Sequence, residues 1–236
     1  MSTPTGAASP RSDAGVSSQV RARAALSGGT SSGAILRAVR SALERRSVGR
    51  GVVADVGAGA GDLYRHISEY CAEYLALDAV RYDGLPEVAR FLACDVGAGP
   101  LPLPEASADC VFAVEVIEHL ENPRALMREL ARIARPGAWV VVTTPNQASL
   151  LSVLSLVFKG RFPAFADANY PAHLTALLPV DLLRMGAECG LEQRVLEWSL
   201  EGRIPGTAWH WPATVVRLGP GRLSDNVLLL CRKPGP

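Results

Sequence analysis

Hydrophobic positions follow two alternating patterns from about residue 31 onward. Short apolar runs typical of buried strands alternate with stretches in which apolar residues recur every three or four positions, which is typical of amphipathic helices. In the first helical stretch, Ile35, Leu36, Val39, Ala42 and Leu43 share one face. Strands that alternate with helices predict a mostly parallel sheet with helices packed on it.

The pattern predicts seven strands and four helices in a single domain that covers residues 31–236. Residues 1–30 are rich in Ser, Gly, Ala, Pro and Thr, so they are predicted to be a disordered tail. Two insertions, at about 147–175 and 201–225, are predicted to lie on the substrate side. The predicted strands are 51–57, 74–78, 91–95, 108–114, 139–143, 194–200 and 226–232, the last two as an antiparallel pair at one edge. The predicted helices begin near residue 31 and cover 63–70, 122–134 and 179–189.

Residues 52–63, Val-Val-Ala-Asp-Val-Gly-Ala-Gly-Ala-Gly-Asp-Leu, predict a strand that leads through a glycine-rich turn into a helix. Gly57, Gly59 and Gly61 let a ligand approach the backbone, and the helix N-terminus directs N–H groups toward it. The Gly-x-Gly-x-Gly spacing differs from the Gly-x-Gly-x-x-Gly of dinucleotide-binding proteins. Since Asp55 at the turn would repel a pyrophosphate, the pattern favours a ligand with a cationic group.

Composition narrows the class of protein further. The chain is 48% hydrophobic and 20% charged, and its net charge of +1 provides no overall field for nucleic acid. Its five cysteines form no close pair, so we expect reduced thiols and a cytoplasmic location. No apolar run is long enough for a membrane span, and no secretion signal is evident.

Three motifs in order along the chain resemble those of class I S-adenosylmethionine-dependent methyltransferases. They are the sequence Asp55-Val-Gly-x-Gly-x-Gly61, the turn Glu115-Val-Ile-Glu-His-Leu-Glu-Asn-Pro123 and the strand Arg135-Pro-Gly-Ala-Trp-Val-Val-Val-Thr-Thr-Pro-Asn146. The last two are similar to the family that contains the ubiquinone-biosynthesis O-methyltransferases. The resemblance covers residues 50–150 and, more loosely, extends to residue 200. It implies a Rossmann-like α/β fold: a seven-stranded, mostly parallel sheet with one antiparallel edge strand and helices on both faces.

The same resemblance implies where S-adenosylmethionine binds. The glycine turn would hold the methionine portion, with Asp55 favouring its amino group. Asp78, at the end of the second strand, would accept hydrogen bonds from both ribose hydroxyls. Asp95 and Val96, after the third strand, would hold the adenine. The predicted cofactor-binding residues are Asp55, Gly57, Gly59, Gly61, Asp78, Asp95, Val96 and Glu115.

Two histidines are candidates for the general base, because a neutral imidazole can accept a proton from a substrate hydroxyl near neutral pH. His119 follows the fourth strand, beside the expected position of methyl transfer. His173 precedes a helix in Tyr170-Pro-Ala-His-Leu-Thr175, which resembles a substrate-side loop. His210, between Trp209 and Trp211, is a reserve candidate.

A metal-assisted mechanism is a minority alternative. Glu115, Glu118 and His119, together with a later histidine, resemble the metal site of small-RNA 2′-O-methyltransferases and of some ubiquinone-pathway enzymes. Such a set could bind a divalent ion and lower the pKa of a hydroxyl. The favoured prediction places no metal here, and the chain shows no basic face or aromatic platform for RNA.

The predicted function is methyl transfer from S-adenosylmethionine to a hydroxyl of a small molecule or glycan, such as a secondary metabolite or a surface-polysaccharide precursor. N- or C-methylation, a dinucleotide-dependent oxidoreductase and a non-catalytic partner subunit are the alternatives. The apolar stretch within 150–165 is predicted to be a lid over the pocket, with a dimer surface or a peripheral membrane contact as alternatives.

Overall fold

The computed structural model describes residues 17, 20–22 and 28–235. It contains one seven-stranded sheet with helices on both faces. The predicted disorder over 1–30 falls mainly outside the described residues. The strands are β1 (Gly51–Val56), β2 (Cys71–Asp78), β3 (Arg90–Ala93), β4 (Ala108–Val114), β5 (Ala134–Pro145), β6 (Glu192–Trp198) and β7 (Asn226–Arg232). The helices from residue 28 onward are α1 (Gly33–Glu44), α2 (Asp62–Ile67), α3 (Pro123–Ile133), α4 (Leu150–Lys159), α5 (Pro179–Glu188), α6 (Ala213–Val216) and α7 (Pro220–Leu223).

The strand order is β3-β2-β1-β4-β5-β7-β6, with parallel pairing from β3 to β5. β7 runs antiparallel to both β5 and β6, so the last two strands form the predicted antiparallel pair at one edge. The chain reverses its direction across the sheet between β1 and β4. In an open parallel sheet, such a switch point at the carboxyl ends of the strands is where ligands bind.

Helix α1 forms where the amphipathic pattern predicted it. The Ser32 hydroxyl caps the helix by accepting a hydrogen bond from the Ile35 N–H, at 3.3 Å. All five residues of its predicted apolar face are buried. This packing places the N-terminus of α1 at the carboxyl edge of the sheet.

The strand limits differ from the predicted ones mainly where tertiary pairing extends a strand. β5 begins at Ala134, five residues before the predicted start, because Ala134 pairs with Ala108 of β4. Asn122 caps α3 by accepting from the Ala125 N–H at 3.0 Å, and Pro123 occupies the first turn. No helix among the described residues has both the length and the apolar character needed to cross a bilayer.

Candidate active site and cofactor cavity

A cavity of about 330 Å³ opens at the carboxyl ends of β1, β2 and β4, within the size range of ligand pockets. All the predicted site residues except Gly61 line it. They are Asp55, Gly57, Gly59, Asp78, Asp95, Val96, Glu115, His119 and His173. Residues from five separate parts of the sequence therefore meet at the predicted switch point.

The glycine turn forms one wall of the cavity. Gly57 and Gly59 have φ angles of 76° and 52°, a left-handed region that side chains disfavour. A Cβ on Gly59 would collide with the carbonyl oxygen of Gly29, which accepts a hydrogen bond from the Ala60 N–H at 2.8 Å. The turn therefore requires glycine at 59 because another part of the backbone lies directly against it.

Gly61 has a different role from the one predicted. It precedes α2 in a left-handed conformation, and it packs against Pro86 and Leu85 rather than facing the cavity. A side chain at Gly61 would collide with the proline ring. Gly61 therefore shapes the loop that supports the cavity wall.

Asp78 ends β2 at the cavity wall, as predicted. Its two carboxylate oxygens accept hydrogen bonds from the N–H groups of Gly59, at 2.9 Å, and Val80, at 3.2 Å. Burial raises the pKa of Asp78, and these backbone hydrogen bonds oppose the shift by favouring the carboxylate. The Ala79 N–H also interacts with this carboxylate. Because a carboxylate offers about four acceptor sites, Asp78 can still accept a hydrogen bond from a ligand.

Asp55 lies deeper in the same wall. Its side chain is almost completely buried and accepts a hydrogen bond from the Tyr74 hydroxyl. Burial raises the pKa of Asp55 to about 7, despite this hydrogen bond, and the nearby Asp78 contributes to the increase. Near neutral pH, Asp55 is thus divided between its charged and neutral forms, which weakens the expected attraction for a cationic amino group.

Asp95 and Val96 follow β3 and line the cavity. The Asp95 carboxylate accepts a hydrogen bond from the Gly97 N–H at 2.9 Å, which fixes the turn after the strand. Val96 supplies an apolar surface beside this carboxylate. That these two residues hold the adenine stays a prediction.

Glu115 follows β4 in a left-handed conformation, with φ of 54°. Its carboxylate accepts a hydrogen bond from the Asn226 amide at 3.2 Å, and the Ser31 hydroxyl and the Ser32 N–H lie near it and favour its charged form. Burial nevertheless raises its pKa. Glu115 thus connects β4 with β7 and with the start of α1.

His119 and His173, which both line the cavity, form a pair with ring centroids 4.7 Å apart and an edge-to-face arrangement. Nδ1 of His119 lies 2.8 Å from the Ala172 carbonyl oxygen, and Nδ1 of His173 lies 2.6 Å from that of Ala164. Because a carbonyl oxygen only accepts, both Nδ1 atoms carry the proton, and each Nε2 retains a lone pair.

The pair forms because residues 172–175 pack against the helical turn Ile117–His119. The Leu174 and Thr175 N–H groups both donate to the Glu118 carbonyl, at 2.9 and 3.0 Å. Burial lowers the pKa of His119 below its ordinary 6.5, and His173 adds to this effect. His119 is therefore neutral at physiological pH and able to accept a proton.

Glu118 is only 1% exposed, and neither carboxyl oxygen has a well-formed hydrogen bond among the described residues, although Thr144 lies nearby. Burial, together with the charge of Glu115, raises the pKa of Glu118 to about 8. Glu118 is also one of the residues that line the cavity. A buried polar group without a partner is costly, so its position calls for a ligand or a functional explanation.

Glu118, His119 and His173 also place one ligand atom each within 4.8 Å of one another. One carboxylate and two imidazoles can bind a divalent transition-metal ion. The set differs from the one in the metal alternative, because Glu115 is not a member. The Glu115 carboxylate instead accepts a hydrogen bond from Asn226 and lies beside Ser31.

Several features of the site were not predicted from the sequence. Thr30, Ser31 and Tyr82 line the cavity, although residues up to 30 were assigned to the tail and nothing marked Tyr82. His210 is exposed and does not line the cavity. Its backbone forms an isolated antiparallel β-bridge with that of Arg203. No residue of α4 lines the cavity, so α4 does not cover it in this structure, and the lid stays a prediction.

Comparisons of the sequence with known proteins agree with the motifs and the cavity described above. Residues 54–142 match the methyltransferase domain family. A ubiquinone biosynthesis O-methyltransferase of Leptothrix cholodnii is 25% identical over 195 residues, which cover 77% of this chain and 77% of that protein. A "probable S-adenosylmethionine-dependent methyltransferase" of Mycolicibacterium smegmatis is 34% identical over 108 residues, which cover 44% of this chain and 42% of that one. The chain is an S-adenosylmethionine-dependent methyltransferase.

Solved structures support the fold of this methyltransferase. A SAM-dependent methyltransferase from Archaeoglobus fulgidus matches with a TM-score of 0.57 and 18% identity, over 84% of this chain and 94% of that one. The predicted Rossmann-like fold is therefore confirmed.

The residues present fit S-adenosylmethionine, the cofactor of the family. The turn offers a wall without side chains, and Asp78 offers two acceptor oxygens. The cavity continues from these groups to the histidine pair.

Proposed function

We propose that this methyltransferase acts on a hydroxyl oxygen of a small molecule or glycan. The observation that carries the proposal is the histidine pair, His119 and His173, which lines the same cavity as the glycine turn and Asp78 and is called the acceptor end below. Each Nε2 has a lone pair, and burial keeps His119 neutral. A hydroxyl group, unlike a neutral amine, benefits strongly from losing its proton as it attacks, so a neutral imidazole at this point favours an oxygen acceptor.

Each group of the chain has a distinct task in this proposal. Asp78 holds the ribose, the turn at Gly57 and Gly59 accommodates the methionine portion, and Val96 packs against the adenine. S-adenosylmethionine supplies an activated methyl group when it is bound. His119 accepts the proton of the acceptor hydroxyl at Nε2, while the Ala172 carbonyl holds the ring through Nδ1. Most of the acceleration comes from orientation, and the base adds a smaller factor.

The relatives support oxygen as the acceptor atom. The Leptothrix protein is named as a ubiquinone biosynthesis O-methyltransferase, and a rice relative, 28% identical, is named as a "probable tocopherol O-methyltransferase". Both names describe methylation of oxygen on a small molecule. This agreement with the histidine pair favours a hydroxyl acceptor over an amine or a carbon.

The test is a transfer assay with methyl-labelled S-adenosylmethionine and panels of phenols, sugar nucleotides and matched amines. We expect label on a hydroxyl-bearing acceptor as a methyl ether. Label on amines alone would contradict the oxygen assignment. If S-adenosylhomocysteine binds but no acceptor in any panel takes the label, a non-catalytic role is favoured.

A second candidate is metal-assisted O-methylation, which the cluster of Glu118, His119 and His173 favours. The unpartnered carboxyl of Glu118 and the two free Nε2 atoms have the donor chemistry of a divalent-ion site. A bound ion would lower the pKa of the acceptor hydroxyl in place of a histidine base.

Titration with Zn²⁺ or Mn²⁺ distinguishes the two candidates. Metal-assisted transfer requires micromolar or tighter binding that His173→Ala removes, together with loss of activity in chelator. Full activity of chelator-treated protein would leave the histidine base as the mechanism. The exposed His210→Ala is the matched control for loss of one imidazole.

We also propose that the protein works in a reducing compartment such as the cytoplasm, as a single domain over residues 31–236. All five cysteines are unpaired, and burial raises the pKa of Cys71, Cys94 and Cys231 to about 12. Alkylation of the unfolded, freshly purified protein without reductant is expected to label five thiols. Fewer would indicate a disulfide.

A further inference from the structure

Helix α4 exposes an apolar surface that the proposed reaction does not use. Seven of its ten residues are Leu, Val or Phe, yet Ser152 is its only buried residue. Val157 is 69% exposed and Phe158 is 80% exposed. A helix that is apolar on nearly all sides normally lies in a protein core or a membrane. Helix α4 instead leaves apolar side chains exposed to solvent.

The neighbouring segment extends this surface. Helix α4 packs beside α7, and the Arg222 guanidinium lies 3.5 Å from the Ala148 carbonyl just before α4. Leu218, in the turn between α6 and α7, is 88% exposed. Exposed apolar residues thus occur on both sides of the contact between the two insertions.

Three cations of these two segments form no ion pair among the described residues, namely Lys159, Arg217 and Arg222. The other two cations are paired, Arg161 with Asp167 at 2.5 Å and Arg203 with Asp225 at 3.1 Å. Residues 51–236 as a whole carry five more acidic than basic residues, so an excess of unpaired cations sets this surface apart.

We propose that α4, with the segment 217–222 beside it, docks the enzyme on an anionic lipid surface. Side chains such as Val157, Phe158 and Leu218 would enter the boundary between headgroups and acyl chains. Lys159, Arg217 and Arg222 would face the lipid phosphates. Exposed aliphatic and aromatic residues combined with unpaired cations are the chemistry that an anionic bilayer attracts.

The surface is also connected to the acceptor end of the cavity. The turn Pro163–Phe165 packs against α4, and its Ala164 carbonyl holds His173. The Phe165 ring lies 5.5 Å from the His173 ring. Docking through α4 would therefore involve the same segment that positions His173, although it depends on no step of methyl transfer.

The test is co-sedimentation of the full chain with sucrose-loaded vesicles of phosphatidylcholine, with or without one-third phosphatidylglycerol. We expect binding to the anionic vesicles that weakens as salt increases, and little binding to the neutral ones. The double variant Val157→Asp/Phe158→Asp is expected to lower the partition coefficient about tenfold or more. Both side chains are exposed, so its affinity for S-adenosylhomocysteine should not change.

Two matched controls separate the surface from general effects. Val88 is 68% exposed and lies before β3, at the other edge of the sheet, so Val88→Asp makes the same chemical change elsewhere. Lys159→Glu is paired with Arg90→Glu, an exposed cation on β3. We expect only the changes at 157, 158 and 159 to reduce binding.

Three outcomes would overturn the proposal. One is sedimentation with neither kind of vesicle. Another is equal loss of binding in the control variants. The third is a dimer that Val157→Asp/Phe158→Asp dissociates while vesicle binding is absent, because a second copy of the chain would then cover α4.

Discussion

The two ends of the cavity are built in different ways. At the cofactor end, Asp78 and the glycine turn lie at the ends of neighbouring strands. The Gly59 N–H donates to the Asp78 carboxylate, and the Gly57 N–H donates to the Leu77 carbonyl of β2. At the acceptor end, His119 and His173 come from segments 54 positions apart that meet through bonds from Leu174 and Thr175 to Glu118. The first end follows from the sheet, while the second depends on how an irregular segment packs against it.

This difference predicts that changes at the two ends have separable effects. The sheet would preserve cofactor affinity when the acceptor end is altered. Changes in the glycine turn would instead weaken cofactor binding whichever acceptor is present. The variants below test that separation, from the largest expected effect to the smallest.

The largest effect is expected from His119→Ala. Loss of a general base typically lowers the rate about 10²- to 10⁴-fold, while affinity for S-adenosylhomocysteine should not change. Rates with an acceptor found in the label assay, and calorimetry, measure the two quantities. His210→Ala, which removes an exposed histidine outside the cavity, should leave both unchanged. An equal loss of affinity and rate in His119→Ala would show that the two ends are not separable.

The next effect concerns the cofactor end. Asp78→Ala removes an acceptor of about two charge-assisted hydrogen bonds to the ribose, so we expect S-adenosylhomocysteine affinity to fall about 100-fold or more. Asp83→Ala, an exposed carboxylate five residues further along, is the control. Calorimetry that finds equal affinity for Asp78→Ala and wild type would remove Asp78 from the cofactor site.

Gly59→Ala tests the close approach of two backbones at the glycine turn. The left-handed conformation alone costs an alanine about 1–2 kcal/mol, and the collision with the Gly29 carbonyl adds to this. Gly206 has a φ of 77° with nothing within 4 Å of a Cβ, so Gly206→Ala measures strain without collision. Denaturant unfolding should show a greater loss for Gly59→Ala, accompanied by weaker cofactor binding. Equal losses in the two variants would mean that the turn can move aside.

The last effect concerns stability at the acceptor end and is the smallest when it is expressed per pH unit. The pKa of Glu118 is raised from 4.5 to about 8, so between these values the unfolded chain is ionised while the folded chain keeps its proton. Folding stability therefore falls as pH rises through this window, by at most about 1.4 kcal/mol per pH unit from this group. Glutamine does not titrate, so Glu118→Gln should gain stability relative to wild type as pH rises from 5 to 8.

Unfolding at several pH values measures that difference, in which Asp55 and other titrating groups cancel. Glu87→Gln, at an exposed position, is expected to show no such trend. A constant difference between Glu118→Gln and wild type across this range would mean that Glu118 is ionised in the folded protein.

The sheet and the cofactor end were largely predictable because they depend on local patterns. The apolar runs predicted all seven strands, and 108–114 and 226–232 have the predicted limits. Strand-end residues such as Asp78 and Asp95 meet because the carboxyl ends of parallel strands lie at one edge. Gly61 shows the limit of this reasoning: its spacing matched the motif, but only the packing against Pro86 shows that it faces away from the cavity.

The acceptor end and the outer surface were less predictable. His119 and His173 were both named as candidates from their motifs, and the metal alternative combined His119 with a later histidine without identifying which one. The apolar stretch at 150–159 was expected to cover the pocket, and an apolar pattern alone cannot show what a helix packs against. The same is true of Ser31, whose contact with Glu115 depends on where α1 docks.

The succession of strands and helices along the chain, the glycine turn and the strand-end carboxylates were determined by the sequence. Hydrophobic periodicity and backbone conformation act over a few residues, so they can be recognised in the sequence. The tertiary structure decided the exposure of α4, the meeting of the two imidazoles and the burial of Glu118. These features arise from contacts between residues far apart in the chain, where desolvation and packing rather than local propensity set the outcome.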